Sequence, residues 1–236
     1  LPAFAKAAWL DRVPEFNPFK YNSFPVNGAR QSHRLTRALR ERIGALTRSG
    51  RIAELAPVLT FQSVVDATVR ADAIVTSLYA HLPANGSELV LFDLNRTARI
   101  GQLLSPASQE VLARLLPPAP RRFRATVVGN AADGSAAAVE RSTDAGATEE
   151  RARPLGLDYP AEVFSLSHVA LPFPVTDGLY GSAPDPAEDF GVRLGAFTAR
   201  GERGALVLDL DTLLRKLSNP FYPYLIGRID EVISAR

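Results

Sequence analysis

Two residues of this chain have the side chains and the sequence surroundings that acid–base catalysis requires. Asp66 stands in PVLTFQSVVDATV, residues 57–69, shortly after an apolar run. His168 stands in VFSLSHVALPF, residues 163–173, after a second apolar run. A carboxylate can accept a hydrogen bond from one imidazole nitrogen, so that the other nitrogen takes the proton of a serine hydroxyl. We therefore interpret Asp66 and His168 as a candidate acid and general base.

Apolar runs and turn residues predict the elements that would position Asp66. Strands alternating with helices at this spacing favour parallel βα units, and hence an α/β fold with a mostly parallel sheet flanked by helices. Catalytic groups of such sheets collect at the carboxyl ends of the strands, where the Asp66 loop would lie. We predict strands at 58–63, 88–93 and 123–128. We predict helices at 72–82 and 105–116, a helix that begins over 136–141, and a loop at 146–159. A last helix is predicted with Phe221, Leu225, Ile229 and Val232 on one face.

The first 50 residues differ from the rest in composition. We predict a cap-like, helical segment at 1–50 and a single structural unit at 51–236. Prolines interrupt helix formation between residues 13 and 28. An amphipathic helix is predicted at 31–46, with Leu35, Leu39, Ile43 and Leu46 on its apolar face. An irregular segment rich in aromatic residues either packs on the core of its own chain or lines a substrate pocket. The pocket candidates are Phe16, Phe19, Tyr21 and Phe24.

Composition excludes several classes of site. The chain has no Cys, which excludes disulfides, thiolate catalysis and Cys-ligated metals. His33 and His81 do not form metal-ligand spacings with nearby carboxylates, and we expect neither a metal nor another cofactor. The net charge of +2 does not predict nucleic-acid binding, and no window approaches the roughly 18 consecutive apolar residues of a membrane span. The compartment stays open, with a cytoplasmic location favoured.

Three stretches resemble one known family. QSVVDATV at 62–69, SLSHVALPFP at 165–174 and NPFKYNSFP at 17–25 resemble the carboxyl-terminal half of the serine α/β-hydrolase superfamily. The similarity is to its bacterial lysophospholipase-like and esterase-like members, often grouped with the serine aminopeptidase domain. The resemblance implies that Asp66 is the triad acid, that His168 is the general base, and that 17–25 contributes to a cap. It also implies a small-molecule or lipid substrate, a carboxylic or lysophospholipid-type ester.

The chain departs from that family in two respects. The nucleophile motif Gly-x-Ser-x-Gly and an HGGG-type oxyanion loop are absent, and both normally precede the acid. We therefore expect the serine in an upstream part of the same protein, before Leu1, and expect this chain to be inactive by itself, with one apolar sheet edge left open. About a hundred residues separate Asp66 from His168, which is more than one βα unit. An inserted unit would explain this spacing, as would Asp72 or Asp93 acting as the acid.

A second hypothesis comes from another class of protein. Asp66 could be a helix cap or turn former, and His168 a hydrogen-bonded structural residue. The chain would then be a non-catalytic α/β interaction module whose first 30 residues bind a partner, or a pseudo-hydrolase on the same fold. The distance from an imidazole nitrogen of His168 to the Asp66 carboxylate separates the hypotheses, because a triad needs roughly 2.6–3.2 Å.

Overall fold

The computed structural model describes residues 8–11, 23–66, 68–96, 104–133, 135–159, 166, 169, 171–199 and 214–234. The chain divides into two compact units, Leu1–Ile52 and Ala53–Arg236. In the part of the chain that the structure describes, no helix has both the length and the apolar character of a membrane span.

The first unit contains one long helix and a small strand pair. Strand β1 (Trp9–Asp11) pairs antiparallel with β2 (Phe24–Pro25), and helix α1 (Val26–Arg48) follows directly. The helix predicted at 31–46 is confirmed and is longer than predicted. The first half of its predicted apolar face is open, because Leu35 and Leu39 are 72% and 57% exposed, whereas Ile43 is buried and Leu46 half-buried.

Five strands form the central sheet of the second unit: β3 (Leu59–Ser63), β4 (Glu88–Asp93), β5 (Arg124–Asn130), β6 (Ala137–Thr143) and β7 (Glu150–Asp158). They lie side by side in chain order, with β3, β4 and β5 parallel and β6 and β7 antiparallel. Among the described residues, β3 and β7 form the two edges of this sheet, each paired on one side.

Helices cover both faces of this sheet, which is the arrangement of the α/β class. One face carries α2 (Ala71–Ile74), which continues as a π-helical turn at Val75–Tyr79, and α3 (Pro106–Ala113). The other face carries α4 (Tyr222–Ser234). The remaining described elements are a 3₁₀ helix at Arg51–Glu54 and a two-stranded antiparallel sheet of β8 (Phe197–Ala199) and β9 (Leu214–Lys216).

Strand β4 shows why a nearly continuous apolar sequence forms the centre of this unit. Its successive side chains point to opposite faces, as in every strand. Leu89 and Leu91 pack in the cluster that contains Tyr79, whereas Phe92 packs against Phe221, with ring centroids 5.2 Å apart. Because both faces of the sheet are covered here, β4 does not need the alternation of apolar and polar side chains that a half-exposed strand shows.

The second half of the sheet corrects two predictions. Residues 136–141 are predicted as a helix, but β6 is a strand, and β7 occupies most of the predicted loop at 146–159. The alanines of β6 favour a helix locally. Pairing with β5 overrides that preference, since it places Glu140 opposite Val128 and lets alternate β6 side chains reach the buried face. The three-stranded parallel core is as predicted, but the sheet as a whole is mixed.

The last helix corrects a third prediction. Phe221 and Leu225 are buried as its pattern predicts, but Ile229 is 37% exposed. Arg228 and Tyr224 turn toward the sheet instead, where they contact carboxylates. The apolar stripe therefore identified the helix but not the whole of its inward face.

Candidate functional site

The carboxyl ends of the three parallel strands carry the candidate site. β3 ends at Ser63, β4 at Asp93 and β5 at Asn130, all at one edge of the sheet. Polar side chains concentrate in the segments that follow, as they do at the ligand-binding edge of parallel sheets. Asp66 and Asn95 belong to these segments.

Asp66 lies half-buried in the loop after β3, with its two carboxylate oxygens in different situations. Oδ1 accepts from the backbone N–H groups of Thr68 and Val69, both at 2.9 Å. These bonds fix the side chain against its own loop, the capping role that a lone acid in such a loop can play. Oδ2 receives a long contact of 3.4 Å from Nε2 of Gln62. A carboxylate oxygen has two lone pairs, so Oδ2 retains capacity to accept a donor.

The two rival acids are held in ion pairs. Asp72, in the first turn of α2, accepts from Nε and Nη2 of Arg70 at 3.0 and 2.5 Å. The hydrogen bond from Arg70 holds the pKa of Asp72 below its ordinary value, against the opposing effect of burial. Asp93 accepts from Nε and Nη2 of Arg96 at 2.6 and 2.7 Å. Both oxygens of each rival are thus engaged, whereas Asp66 forms no ion pair with any described residue.

His168 lies outside the described residues, as do Phe16, Phe19 and Tyr21. The pairing of Asp66 with His168 therefore stays a prediction. Phe24, the remaining pocket candidate, belongs to β2 and is 50% exposed.

The described residues on either side of His168 are anchored by buried side chains. The Ser63 hydroxyl, at the end of β3, donates to the carbonyl oxygen of Leu166. On the other side, Nδ2 of Asn219 donates to the carbonyl oxygen of Val169 at 2.8 Å. Leu166 and Val169 are both buried in the core cluster that contains Phe92. No local pattern predicts either bond, because the partners are 103 and 50 residues apart.

A pair of asparagines ties β4 to β5 at the same edge. Oδ1 of Asn130 accepts from the backbone N–H of Asn95 at 2.6 Å, and Nδ2 of Asn130 donates to Oδ1 of Asn95 at 2.9 Å. Asn95 has φ of 58°, in the left-handed region that asparagine tolerates better than most residues. The sequence reasoning missed this pair, although each Asn stands two residues after the end of a predicted strand, where Asn is a turn signal.

A cleft of about 370 Å³ opens beside Asp66. Most of its lining is apolar, and its polar groups include Asp66 and the Arg70–Asp72 ion pair. Its volume falls in the range of small-molecule sites. Its apolar walls are Val64, Val65, Ala71, Leu104, Ala107, Val111, Leu112 and Leu115.

A network of charged side chains lies under α4, and the sequence reasoning missed it too. Glu88 accepts from Thr126 Oγ1 at 2.7 Å and from Arg228 of α4. Glu140, 2% exposed, accepts from Arg153 and from the Tyr224 hydroxyl. A charged residue inside an otherwise apolar stretch, such as Glu140 in AAVERST, is the sequence signal that indicates such a network.

Among the described residues, no group of three or more His, Asp or Glu side chains could hold a metal ion. No protein-family model, curated protein or solved structure matches this chain.

Proposed function

We propose that this chain is the acid-and-histidine half of a serine hydrolase that cleaves carboxylic or lysophospholipid-type esters. The nucleophilic serine would come from an upstream part of the same protein. The proposal combines the resemblance of three sequence stretches with the position of Asp66 after a parallel strand, at the edge where catalytic groups collect.

The hydrogen bond between Ser63 and Leu166 is the observation that carries the proposal. Ser63 is three residues before Asp66, and Leu166 is two residues before His168. Two residues of chain reach at most about 7 Å. The bond therefore supports a pairing in which the segments that bear the acid and the histidine meet at the end of β3.

The contacts of Asp66 suit the proposed role. Its Oδ1 is held by two backbone N–H groups, so the carboxylate has a fixed orientation, while Oδ2 would accept the N–H of His168. The other imidazole nitrogen would take the proton of the serine hydroxyl as that oxygen attacks the ester carbonyl. The imidazolium would then return the proton to the leaving alkoxide. Water would hydrolyse the acyl-enzyme by the same two proton transfers.

The cleft beside Asp66 supports an ester with a hydrophobic part. Its aliphatic walls would gain from burying an acyl or alkyl chain, at about 0.8 kcal/mol per buried methylene group. A polar sugar or nucleotide would find few partners on those walls. The charged groups at this cleft are Asp66 and the Arg70–Asp72 pair, whose two members neutralise each other.

The test is labelling of the natural protein, including the sequence before Leu1, with a serine-directed fluorophosphonate. We expect wild-type protein to be labelled, and His168→Ala and Asp66→Asn to be labelled roughly 10⁴-fold more slowly. Asn at position 66 retains an oxygen that can accept from Thr68 and Val69, so it removes the charge but not the cap. Asp93→Asn is the matched control, since it removes another carboxylate from the same edge, and its labelling rate should stay within about threefold of the wild-type rate.

Undiminished labelling of His168→Ala would remove His168 from the mechanism. A slow rate in Asp93→Asn together with a normal rate in Asp66→Asn would transfer the role of the acid to Asp93. Absence of labelling in the wild-type protein would favour the non-catalytic interaction module.

A further inference from the structure

We propose that helix α1 docks on an anionic phospholipid surface through an exposed apolar stripe that arginines flank. The apolar stripe consists of Leu35, Leu39 and the ring of Phe24. The proposal concerns the first unit by itself and does not depend on the hydrolase function.

The middle of α1 is exposed on every side of the helix. All residues from 30 to 42 are exposed, which is roughly three and a half helical turns. Ile43, the next residue, is buried and fixes the end of this segment. Most helices in proteins are stabilised by packing an apolar face. A row of large apolar side chains left open along such a segment therefore indicates an interaction surface.

The apolar stripe follows one face of the helix. Leu35 and Leu39 are four residues apart, so they are neighbours on that face. Gly28 stands one heptad before Leu35 and belongs to the same face, and the position between them, Ser32, is small. An atom at the Cβ position of Gly28 would lie 3.9 Å from Cε2 of Phe24, which is 50% exposed. The Phe24 ring thus extends the row of leucines to about 16 Å along the helix.

Arginines flank the apolar stripe on both sides. Consecutive residues of a helix are rotated by about 100°. Arg34 directly precedes Leu35 and Arg40 directly follows Leu39, so the two arginines lie on opposite flanks. Arg42 lies on the same flank as Arg34, about 60° from Leu39. Long side chains in these positions can lay their stems along an apolar layer while the guanidinium groups reach phosphates.

The flanking charges can meet an anionic partner directly. Arg34, Arg40 and Arg42 are exposed, and their side chains have no ion pair or hydrogen bond with a described residue. Arg37 pairs at 2.9 Å with Glu41, the single acidic residue in the sequence of α1, which contains six arginines. The whole chain has a net charge of only +2, so positive charge is concentrated on this helix. Such a concentration attracts an anionic surface.

A phospholipid bilayer satisfies the apolar stripe and the arginines together. A helix of this kind lies in the plane of the membrane surface, with its apolar side chains at the acyl boundary and its basic side chains among the headgroups. A second copy of α1 would cover the leucines but would bring two arginine-rich helices together, and like charges repel. A nucleic acid would engage the arginines and leave the leucines in water. The combination therefore favours an anionic phospholipid surface.

The first measurement is co-sedimentation of this chain with vesicles of phosphatidylcholine, either pure or mixed with about 30% phosphatidylglycerol. We expect binding to the anionic vesicles to be at least roughly tenfold tighter and to weaken as salt is added. Arg34→Gln combined with Arg40→Gln should weaken it roughly 30-fold, because each basic residue near an anionic surface contributes about fivefold. Leu35→Ser should weaken it by about tenfold, because the bilayer no longer buries that side chain.

Two control variants make the same chemical changes in the second unit. Arg122→Gln combined with Arg193→Gln removes two exposed arginines. Ile233→Ser removes an apolar side chain of α4 that is 66% exposed, close to the 72% of Leu35. Both controls should bind the anionic vesicles within about twofold of wild type, because charges beyond a Debye length from the surface are screened.

The second measurement shows which face of α1 meets the bilayer. The chain has no Cys, so one introduced cysteine carries a single environment-sensitive nitrobenzoxadiazole label. The label is placed at Leu35→Cys, in the apolar stripe, or at His33→Cys, which is rotated by about 160° from it. Adding anionic vesicles should shift the emission of the label at position 35 to the blue and leave that at position 33 unchanged.

Several outcomes would overturn the proposal. One is equal binding to neutral and anionic vesicles, or binding to neither. Another is binding that needs the arginines but not Leu35, above all if a short DNA duplex competes for it, which would assign the helix to nucleic acid. A dimer in analytical ultracentrifugation that Leu35→Ser dissociates would assign the apolar stripe to a second copy. Blue emission at position 35 before vesicles are added would show that the protein itself covers the stripe.

Discussion

Replacing Glu140 by glutamine tests whether the charged network under α4 stabilises the fold. The Glu140 carboxylate accepts two hydrogen bonds from Arg153, at 3.0 and 2.9 Å, and a third from the Tyr224 hydroxyl at 2.8 Å. Arg124 approaches it to 3.7 Å. Glutamine has nearly the same shape but carries no charge, and its NH₂ group must face donors. The substitution therefore removes the charge and at least one of these hydrogen bonds.

We expect Glu140→Gln to lower the free energy of unfolding by about 3 kcal/mol. Breaking a buried ion pair costs about 3–5 kcal/mol, because the remaining charge is left unpaired. The Arg153 side chain is 56% exposed, so water can solvate its freed charge, which places the cost at the low end. The loss corresponds to a fall in melting temperature of roughly 6–12 °C for a chain of this size.

The effect should depend on pH in a defined direction. Burial alone would raise the pKa of Glu140, but hydrogen bonds from Arg153 and Tyr224, with the nearby arginine charges, outweigh it and hold the pKa below its ordinary value of 4.5. A lowered pKa gives stability that is present above pH 4.5 and is lost as the pH falls below that value. The difference between wild type and Glu140→Gln should therefore shrink toward pH 3.

The assay is urea denaturation at pH 7, 5, 4 and 3, because urea does not screen charges as guanidinium does. Glu41→Gln is the matched control: Glu41 pairs with Arg37 at 2.9 Å on the exposed surface of α1, so its loss should cost less than about 0.5 kcal/mol. A cost for Glu140→Gln no larger than this control, or one that is constant from pH 7 to pH 3, would refute the reasoning.

Two further predictions concern other buried polar groups. Asn95→Ala should lower the free energy of unfolding by about 2 kcal/mol, because alanine is strained at φ 58° and loses the contact with Asn130. Asn95→Gly should lower it by about half as much, because glycine adopts that backbone conformation freely. Equal losses in urea denaturation would contradict this account. Tyr79→Phe should cost about 1–2 kcal/mol, since the Tyr79 hydroxyl donates to the Glu88 carbonyl at 2.6 Å. Burial raises the pKa of Tyr79 to about 12, so this residue should stay largely un-ionised up to pH 11. The absorbance change that accompanies tyrosine ionisation up to pH 11 should therefore be nearly the same in wild type and Tyr79→Phe. A clearly smaller absorbance change in the variant would show that Tyr79 ionises at a lower pH.

The sequence predicted those parts of the fold that depend on neighbouring residues. The apolar run of β4 and the Ser105–Pro106 helix start of α3 identify their elements, and the Ser105 hydroxyl does cap that helix by accepting from the Ser108 N–H. The parallel core follows from the order of these elements. β6 could not be predicted in this way, because its alanine-rich sequence forms a strand only through pairing with β5 and β7.

In the candidate site, too, the features that depend on neighbouring residues could be predicted and those that depend on distant residues could not. Asp66 could be found because an acid follows a predicted strand by three residues, and the structure places it at the carboxyl end of that strand. The pairing of Asn95 with Asn130 and the contact of Glu88 with Arg228 could not be found, since 35 and 140 residues separate the partners. No local periodicity reports which strand ends or helix faces meet at such separations.

Helix α4 connects the charged network to the proposed site. Its body is held to the sheet by Arg228 on Glu88 and by Tyr224 on Glu140. The residues that lead into it hold the segment after His168, through the bond from Asn219 to Val169. A loss of Glu140 that lets α4 shift would therefore strain the bond from Asn219 to Val169 as well, so the buried charges would fix the position of this helix in addition to stabilising the fold.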